Sequence, residues 1–152
     1  KAAATIHGRL KALFPDELPT PTALLAMPDQ QLRAAGLSGA KTLAVKDLAA
    51  KTIAGVVPTA AALNALADEE IIERLTSVRG IGRWTVEMLL IFNLGRPDIL
   101  PVTDLGIRKG YMLTFGLEAL PAPAFIRSHG EHWAPYRSVA SWYLWRATNQ
   151  PV

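Results

Sequence analysis

Apolar residues recur at steps of three and four along almost the whole chain, and proline or glycine interrupts the pattern at short intervals. Ile6, Leu10, Leu13 and Phe14 follow this spacing, and Pro15 comes directly after them. The spacing is typical of one buried helix face, and proline cannot continue a helix. No two-residue turn joins two alternating apolar runs, as a strand hairpin would require. We therefore expect an all-α fold of about eight to ten short helices.

Capping residues and helix breakers place these helices along the sequence. Asp29 and Ser38 are expected to cap two successive helices, and Ile99–Val102 is the only stretch that we expect to be extended. The first helix ends before Pro15 and is followed by a loop region around a short turn at Ala23–Met27. The later predicted helices are Asp29–Gly36, Ser38–Gly55, Ala60–Leu66, one from Asp68, Arg83–Gly95, one from Thr103 or Asp104 to Gly116, Pro123–His132 and Pro135–Thr148.

The composition excludes several classes of protein. With 152 residues, 50% of them hydrophobic and 19% charged, the chain suits one folded domain over residues 1–152 and not a disordered tail. No apolar run approaches the roughly 20 residues of a membrane span, and no secretion signal is visible, so we expect a cytoplasmic, bacterial protein. The absence of cysteine excludes disulfides, thiol nucleophiles and cysteine-ligated iron–sulfur clusters.

The net charge of +3 is not spread evenly. Residues 1–51 carry seven Lys or Arg against four acids, residues 52–103 carry four against six, and residues 104–152 carry five against three. A polyanionic partner would therefore have to be bound by locally placed groups, because bulk attraction is weak.

A tight turn between two predicted helices is the most informative segment. Gly80 and Gly82 form a Gly-x-Gly turn flanked by Arg79 and Arg83, between a helix that ends near Leu75 and one that begins near Arg83. Backbone N–H groups at the start of the second helix suit a phosphate. The pattern predicts a helix-hairpin-helix element over about residues 68–94, which binds nucleic-acid backbone without reading sequence. A plain helix–helix turn remains the alternative.

Asp104 follows the apolar segment Ile99–Val102 and stands at a helix start. Its common role there is N-capping, and the alternative is a carboxylate in an apolar cleft that faces a cationic transition state. The histidines His7, His129 and His132 have no metal-ligand spacing, and we interpret them as solvated or capping residues.

The tryptophans are concentrated in one segment. Five aromatic residues, three of them tryptophan, lie between Trp133 and Trp145, and Trp84 directly follows the glycine turn. A packed helix needs fewer tryptophans than this. Indole faces stack on nucleobases and attract cationic bases most strongly.

Four segments together resemble the helix-hairpin-helix DNA glycosylases (HhH-GPD superfamily), specifically the alkylpurine branch called 3-methyladenine DNA glycosylase II. They are Gly36–Lys41, Val78–Thr85, Leu100–Gly106 and Pro135–Val139 leading to Trp145. The hairpin followed by Pro-Val-x-Asp and then Pro-Tyr-Arg-Ser is highly specific, and the resemblance covers nearly the whole chain.

The resemblance implies a compact multi-helix fold and a set of site residues. By position, Asp104 would be the catalytic carboxylate that stabilises an oxocarbenium-like sugar, and the extruded base would lie in a pocket. The implied base-pocket residues are Trp84, Met88 and Trp145; the implied DNA-backbone residues are Arg79, Gly80, Gly82, Arg83 and Thr85. The backbone carbonyls of Thr76, Val78 and Ile81 would hold a structural sodium or potassium ion, and the chemistry would need no cofactor.

The resemblance also implies a branch and a reaction. Bifunctional relatives have a lysine where this chain has Trp84, so we expect hydrolysis of alkylated purines without strand cleavage, by a monomer acting on duplex DNA. Thr103 departs from the acidic residue that is frequent there, with an expected effect on local capping or pKa. The family also continues upstream of Lys1, where the N-terminal helix with its intercalating wedge loop is expected. The alternatives are a non-catalytic helix-hairpin-helix DNA-binding module and a helical core unrelated to DNA.

Overall fold

The structure of the protein, a computed structural model, describes residues 2–148. This part of the chain consists of helices and connecting loops without a β-strand, which confirms the all-α class. The helices are α1 (Ala2–Lys11), α2 (Pro21–Ala26), α3 (Asp29–Ala34), α4 (Gly39–Ile53), α5 (Ala60–Leu63), α6 (Asp68–Thr76), α7 (Arg83–Phe92), α8 (Leu105–Thr114), α9 (Pro123–His129) and α10 (Arg137–Ala147). Short 3-10 turns cover Pro15–Glu17 and Gly130–Trp133.

Some local predictions are corrected by the backbone. Asp29 does not cap α3, because Pro28 holds the cap position and Asp29 is the first helical residue. Residues 99–101 lie in a loop without regular secondary structure, and a turn begins at Val102, whose N–H bonds the Leu100 carbonyl at 2.9 Å. The turn predicted at Ala23–Met27 is instead the helix α2, which begins at Pro21. α9 ends at His129, where the 3-10 turn takes over from the predicted continuous helix. The cap predicted at Ser38 is confirmed, since its hydroxyl accepts the Lys41 N–H at 3.3 Å.

The described residues group into two compact units, residues 1–82 and residues 83–152, of which 2–82 and 83–148 are described. The single domain inferred from the sequence stays a prediction. No helix within residues 2–148 is long and apolar enough to cross a membrane.

In the first unit, α4 packs against α2 and α3. The buried positions of α6 are Ile71, Ile72 and Leu75, which have the helical spacing seen in the sequence, and Val78 is buried just beyond the helix end. Val78 thus anchors the start of the hairpin turn in the apolar interior, since burying one such side chain is worth about 1.5–3 kcal/mol.

In the second unit, α8 and α10 cross closely, and their contact positions the candidate site. A Cβ on Gly110 of α8 would overlap the backbone carbonyl of Leu144 in α10, so only glycine permits this approach. Ile107, Tyr111, Ile126 and Leu144 form a buried core together with Val102. Asp104 at the start of α8 and Trp145 near the end of α10 are therefore carried by two helices in direct backbone contact.

The loop that leads from α7 toward Asp104 is fixed by the start of α10. The Arg137 guanidinium forms two bonds to Asp98, Nε–Oδ1 at 2.6 Å and Nη2–Oδ2 at 2.8 Å, and the Arg137 N–H donates to Oδ1 at 3.2 Å. The Ser138 hydroxyl donates to the Arg96 carbonyl and accepts the Ile99 N–H, at 2.6 and 2.9 Å. The Pro-Tyr-Arg-Ser segment is thus a structural anchor for the loop.

Candidate active site and hairpin

Asp104 is the N-cap of α8, and its carboxylate is also the centre of a side-chain cluster. Oδ1 accepts the backbone N–H of Ile107 at 2.8 Å, which satisfies one of the N–H groups left open at a helix start. The N-cap role considered from the sequence is therefore confirmed. Capping explains the position of the carboxylate and does not explain its other partners.

Those partners are two indole N–H groups. Nε1 of Trp84 donates to Oδ2 of Asp104 at 2.7 Å, and Nε1 of Trp145 donates to Oδ1 at 2.8 Å. The three side chains come from α7, the α8 cap and α10, and we call them the Asp104 cluster. Hydrogen bonds to an ionised carboxylate are shorter and roughly twice as strong as neutral ones. The cluster thus holds Asp104 in a single orientation.

The hydrogen bonds also decide the charge of Asp104. Partial burial by itself raises the pKa of this carboxyl, but the bonds from Trp145, the Ile107 N–H, Trp84 and the Gly106 N–H outweigh burial and hold the pKa below its usual 3.8. Asp104 is therefore a carboxylate anion at neutral pH. A fixed anion beside aromatic rings is suited to stabilise a cation and is not suited to donate a proton.

Gly106 provides the space in which the cluster assembles. A Cβ at this position would lie 2.7 Å from Cδ1 of Trp145 and 2.9 Å from Oδ1 of Asp104. Both distances are shorter than carbon–carbon and carbon–oxygen contacts allow, so any side chain would displace the indole or the carboxylate. Packing around the carboxylate thus explains why glycine follows two residues after Asp104.

The aromatic residues differ in their surroundings. Trp84 is 49% exposed, and Trp145 is partly buried with its ring stacked on Phe92 at 5.7 Å between centroids. Met88 is half-buried one turn further along α7 than Trp84. Trp133 packs against the core, and Trp142 is exposed under the guanidinium of Arg146, 4.7 Å from its ring centroid. Of the tryptophans in the Trp133–Trp145 segment, only Trp145 bonds Asp104.

The hairpin turn, residues 76–82, follows α6 at the end of the first unit. Gly80 has φ = +76°, a left-handed conformation that L side chains rarely adopt, so glycine is needed at this position. The Ile81 N–H bonds the Val78 carbonyl at 3.1 Å and closes the turn. The glycine turn predicted from the sequence is therefore present, and its second helix, α7, begins at Arg83.

The predicted DNA-backbone residues are all exposed, but one of their N–H groups is already used. Arg79, Gly80, Gly82, Arg83 and Thr85 lie at the surface. The Arg79 N–H donates to Oδ2 of Asp47 at 2.7 Å, and the Arg83 side chain is 3.0 Å from the buried Glu87 in an ion pair along α7. The Arg79 N–H and the Arg83 guanidinium therefore already have acceptors within the protein.

Backbone carbonyls in the turn are the predicted cation ligands. Thr76 is the last residue of α6, and the Val78 carbonyl keeps one lone pair beside its bond to Ile81. Carbonyl oxygens are hard donors that suit hard cations. Within residues 2–148 no group of three or more His, Asp or Glu side chains could hold a metal ion.

Sequence reasoning missed several paired residues. It assigned no role to Asp47 and Lys51, which contact the hairpin turn, or to Glu87 and Asp98, although Arg83–Glu87 and Asp47–Lys51 have the i,i+4 spacing of helical ion pairs. His129 is not solvated as expected: it is half-buried and its Nδ1 is hydrogen-bonded to the hydroxyl of buried Tyr111. Burial raises the pKa of Tyr111 above its usual 10.0.

The fold, the hairpin turn and the Asp104 cluster agree with a family match. The chain belongs to the HhH-GPD superfamily of base excision DNA repair proteins, which it matches over residues 1–135.

Individual relatives are similar over nearly the whole chain. DNA-3-methyladenine glycosylase 1 of Schizosaccharomyces pombe is 44% identical over 97% of this chain. The chain spans 65% of that curated relative's length, which is less than two thirds. A solved S. pombe 3-methyladenine DNA glycosylase in complex with abasic DNA superposes with a TM-score of 0.86 at 43% identity, over 98% of this chain and 73% of that one. A DNA-3-methyladenine glycosidase from Bacillus halodurans gives 0.88 at 35% identity, over 98% and 68%.

Proposed function

We propose that this chain is a monofunctional DNA glycosylase that hydrolyses the N-glycosidic bond of alkylated purines in duplex DNA. Its substrates would include 3-methyladenine and 7-methylguanine, and its product would be an abasic site for base excision repair. Superfamily membership and relatives named 3-methyladenine glycosylases support this assignment. The observation that carries it is the Asp104 carboxylate bonded by two indole N–H groups. A module that only binds phosphate has no use for this cluster.

The reaction follows from the charge on Asp104. The glycosidic bond breaks with both electrons leaving on the alkylated base, and the sugar develops positive charge at C1′. The Asp104 anion stabilises this charge and helps to position a water molecule, whose oxygen bonds C1′ and whose proton is released. Preorganised charge of this kind is commonly worth about 3–4 kcal/mol of the barrier. The cluster's hydrogen bonds keep the carboxylate in place, so little reorganisation is needed during the reaction.

The extruded base would lie against Trp84, Met88 and Trp145. Each indole uses its N–H edge on Asp104, which leaves ring faces for stacking, although Phe92 already covers part of Trp145. N-alkylation gives a purine a positive charge, and an indole face attracts a cation by about 0.5–2 kcal/mol. The pocket would therefore favour alkylated purines over undamaged ones.

An indole at position 84 cannot form a Schiff base with the abasic sugar, because that step needs an amine. The chain would therefore release the base without cleaving the strand. It needs no cofactor for this chemistry.

The hairpin would bind the DNA backbone beside the lesion. The proposed contacts are Arg79, Gly80, Gly82, Arg83 and Thr85, and carbonyls of Thr76, Val78 and Ile81 would hold a sodium or potassium ion that contacts a phosphate. We propose that the protein acts on duplex DNA as a monomer in the cytoplasm. The relatives come from a yeast and from a bacterium, so they do not favour a bacterial source for this chain over a yeast source.

The decisive experiment incubates the chain with duplex DNA that carries methylated purines. We expect free 3-methyladenine and 7-methylguanine by chromatography, and strand breaks only after alkali treatment. Binding without base release would favour the non-catalytic DNA-binding module. A covalent complex trapped by borohydride would contradict hydrolysis without lyase chemistry. Parallel assays with hypoxanthine and ethenoadenine would define the range of lesions.

A further inference from the structure

One face of α4 lies against the hairpin turn. Ala44, Asp47 and Lys51 are spaced by three and four residues, so they share this face. A Cβ on Gly80 would lie 3.4 Å from Cβ of Ala44, so the turn packs directly on the helix. The carboxylate of Asp47 accepts the Arg79 N–H at 2.7 Å.

Lys51 completes the contact. Its ammonium donates to the Ser77 carbonyl at the end of α6 and lies 2.9 Å from Oδ2 of Asp47. A cation at a helix C-terminus is favoured by the helix dipole. The two side chains therefore bond the backbone of the turn at two residues, Ser77 and Arg79.

The pair is more than a surface ion pair. The Asp47 and Lys51 side chains are 31% and 28% exposed, so a large part of each side chain lies against the protein. The Arg79 N–H bond is the main cause that holds the pKa of Asp47 below 3.8, with Lys51 as the next cause. An exposed i,i+4 pair by itself contributes little. Its significance here lies in the two main-chain groups that it holds.

We infer that Asp47 and Lys51 are positioning residues for DNA binding: they hold residues 77–80 of the hairpin turn in the conformation that binds a DNA phosphate. This inference rests on the proposed function. Neither side chain needs to contact DNA, because the ammonium and the carboxylate are committed to each other and to the turn.

Loss of the Asp47 carboxylate should affect DNA binding in the direction opposite to the usual effect of charge. Removing an acidic residue near a DNA-binding surface normally strengthens binding, because the protein becomes more positive. Asp47→Ala should instead raise the Kd for duplex DNA about tenfold, as expected for one lost charge-assisted hydrogen bond. Asp47→Asn keeps an oxygen acceptor for Arg79 and should raise Kd only about threefold.

A matched control lies in the same unit. Lys46 of α4 pairs with Asp29 at 2.5 Å, at the surface. Asp29→Ala removes the same charge and also breaks an ion pair to α4, yet we expect an unchanged or lower Kd. Lys51→Met should raise Kd several-fold without changing the slope of log K against log salt. If Lys51 bound a phosphate directly, its replacement would instead reduce the size of that slope by about one.

The test measures Kd by fluorescence anisotropy on a duplex with a non-hydrolysable abasic analogue, over a series of salt concentrations. Circular dichroism melting checks that each variant is folded. Single-turnover base release at saturating DNA should stay within about twofold of the wild type, because the chemical step is untouched. Equal or tighter binding by both Asp47 variants, or a reduced salt slope in Lys51→Met, would overturn the inference. Binding without base release by the wild type would overturn the proposed function alone, and no DNA binding by the wild type would overturn both.

Discussion

The hairpin turn and the Asp104 cluster place their functional groups by different means. In the turn, the groups are main-chain N–H and C=O, and their directions are set by the φ of Gly80 and by side chains of α4. In the cluster, the groups are side chains, and their positions are set by where Asp104, Trp84 and Trp145 stand on their helices. A substitution in the turn should therefore change DNA affinity. One in the cluster should change the rate of the chemical step.

The largest expected effect is on the rate, from Asp104→Asn. Asn caps helices about as well as Asp, but its amide nitrogen would face one indole N–H that the carboxylate accepts, so the free energy of unfolding should fall by about 1 kcal/mol. The rate of base release should fall about a thousandfold, because the anion is lost. Single-turnover kinetics and DNA-binding titrations would check this separation. A variant with the wild-type rate would remove Asp104 from the mechanism.

The next largest effect is expected from adding a methyl group to the Asp104 cluster while the charge of Asp104 stays unchanged. Gly106→Ala should push Trp145 or Asp104 aside, and we expect base release to slow roughly thirtyfold, or about 2 kcal/mol, with little change in Kd. Gly39→Ala is the matched control, because a Cβ there meets no atom within 4 Å. If base release slowed equally in both variants, the loss of rate would not come from crowding in the Asp104 cluster.

A smaller effect is expected in the turn. Gly80→Ala forces a side chain into φ = +76°, which costs on the order of 1 kcal/mol. The Kd for duplex DNA should rise about fivefold, and base release at saturating DNA should stay unchanged. If the rate at saturation fell together with affinity, the division between the two regions would be wrong.

The smallest effect concerns pH. In the folded protein the pKa of Asp104 is lowered below its usual 3.8. Ionisation of Asp104 therefore stabilises the fold at pH values above its unfolded pKa, and this stabilisation is lost as the pH falls through the folded pKa. Base release at saturating DNA should therefore show no acid limb due to Asp104 between pH 5 and 8, a change below about twofold. If the rate of base release fell toward pH 5 and this fall was absent from Asp104→Asn, the lowered pKa would be contradicted.

The sequence predicted helix positions well, because each depends on local signals. Ser38 caps α4 as expected, and the prolines and glycines separate the helices in the predicted order. The helix cap at Asp104 and the glycine turn at Gly80 are also present as predicted, since motif spacing marks both. The class of protein followed from these motifs and is supported by the family match.

Long-range pairs could not be predicted in the same way. Asp47 meets Arg79 across 32 residues, and Asp98 meets Arg137 across 39. Nothing in local spacing distinguishes these carboxylates from solvated ones, because their partners are brought close only by helix packing. Likewise, the bond between Asp104 and the indole N–H of Trp145 depends on the glycine contact between α8 and α10.

The indole bonds also give the protein an optical signal of its own. Two of its four tryptophans donate their ring N–H to one carboxylate. Indole emission responds to a nearby negative charge and to hydrogen bonding at the ring nitrogen. Neutralising Asp104, or stacking a base on Trp84, should therefore alter the fluorescence against the background of Trp133 and Trp142. Occupancy of the site can then be followed in real time, in unlabelled protein.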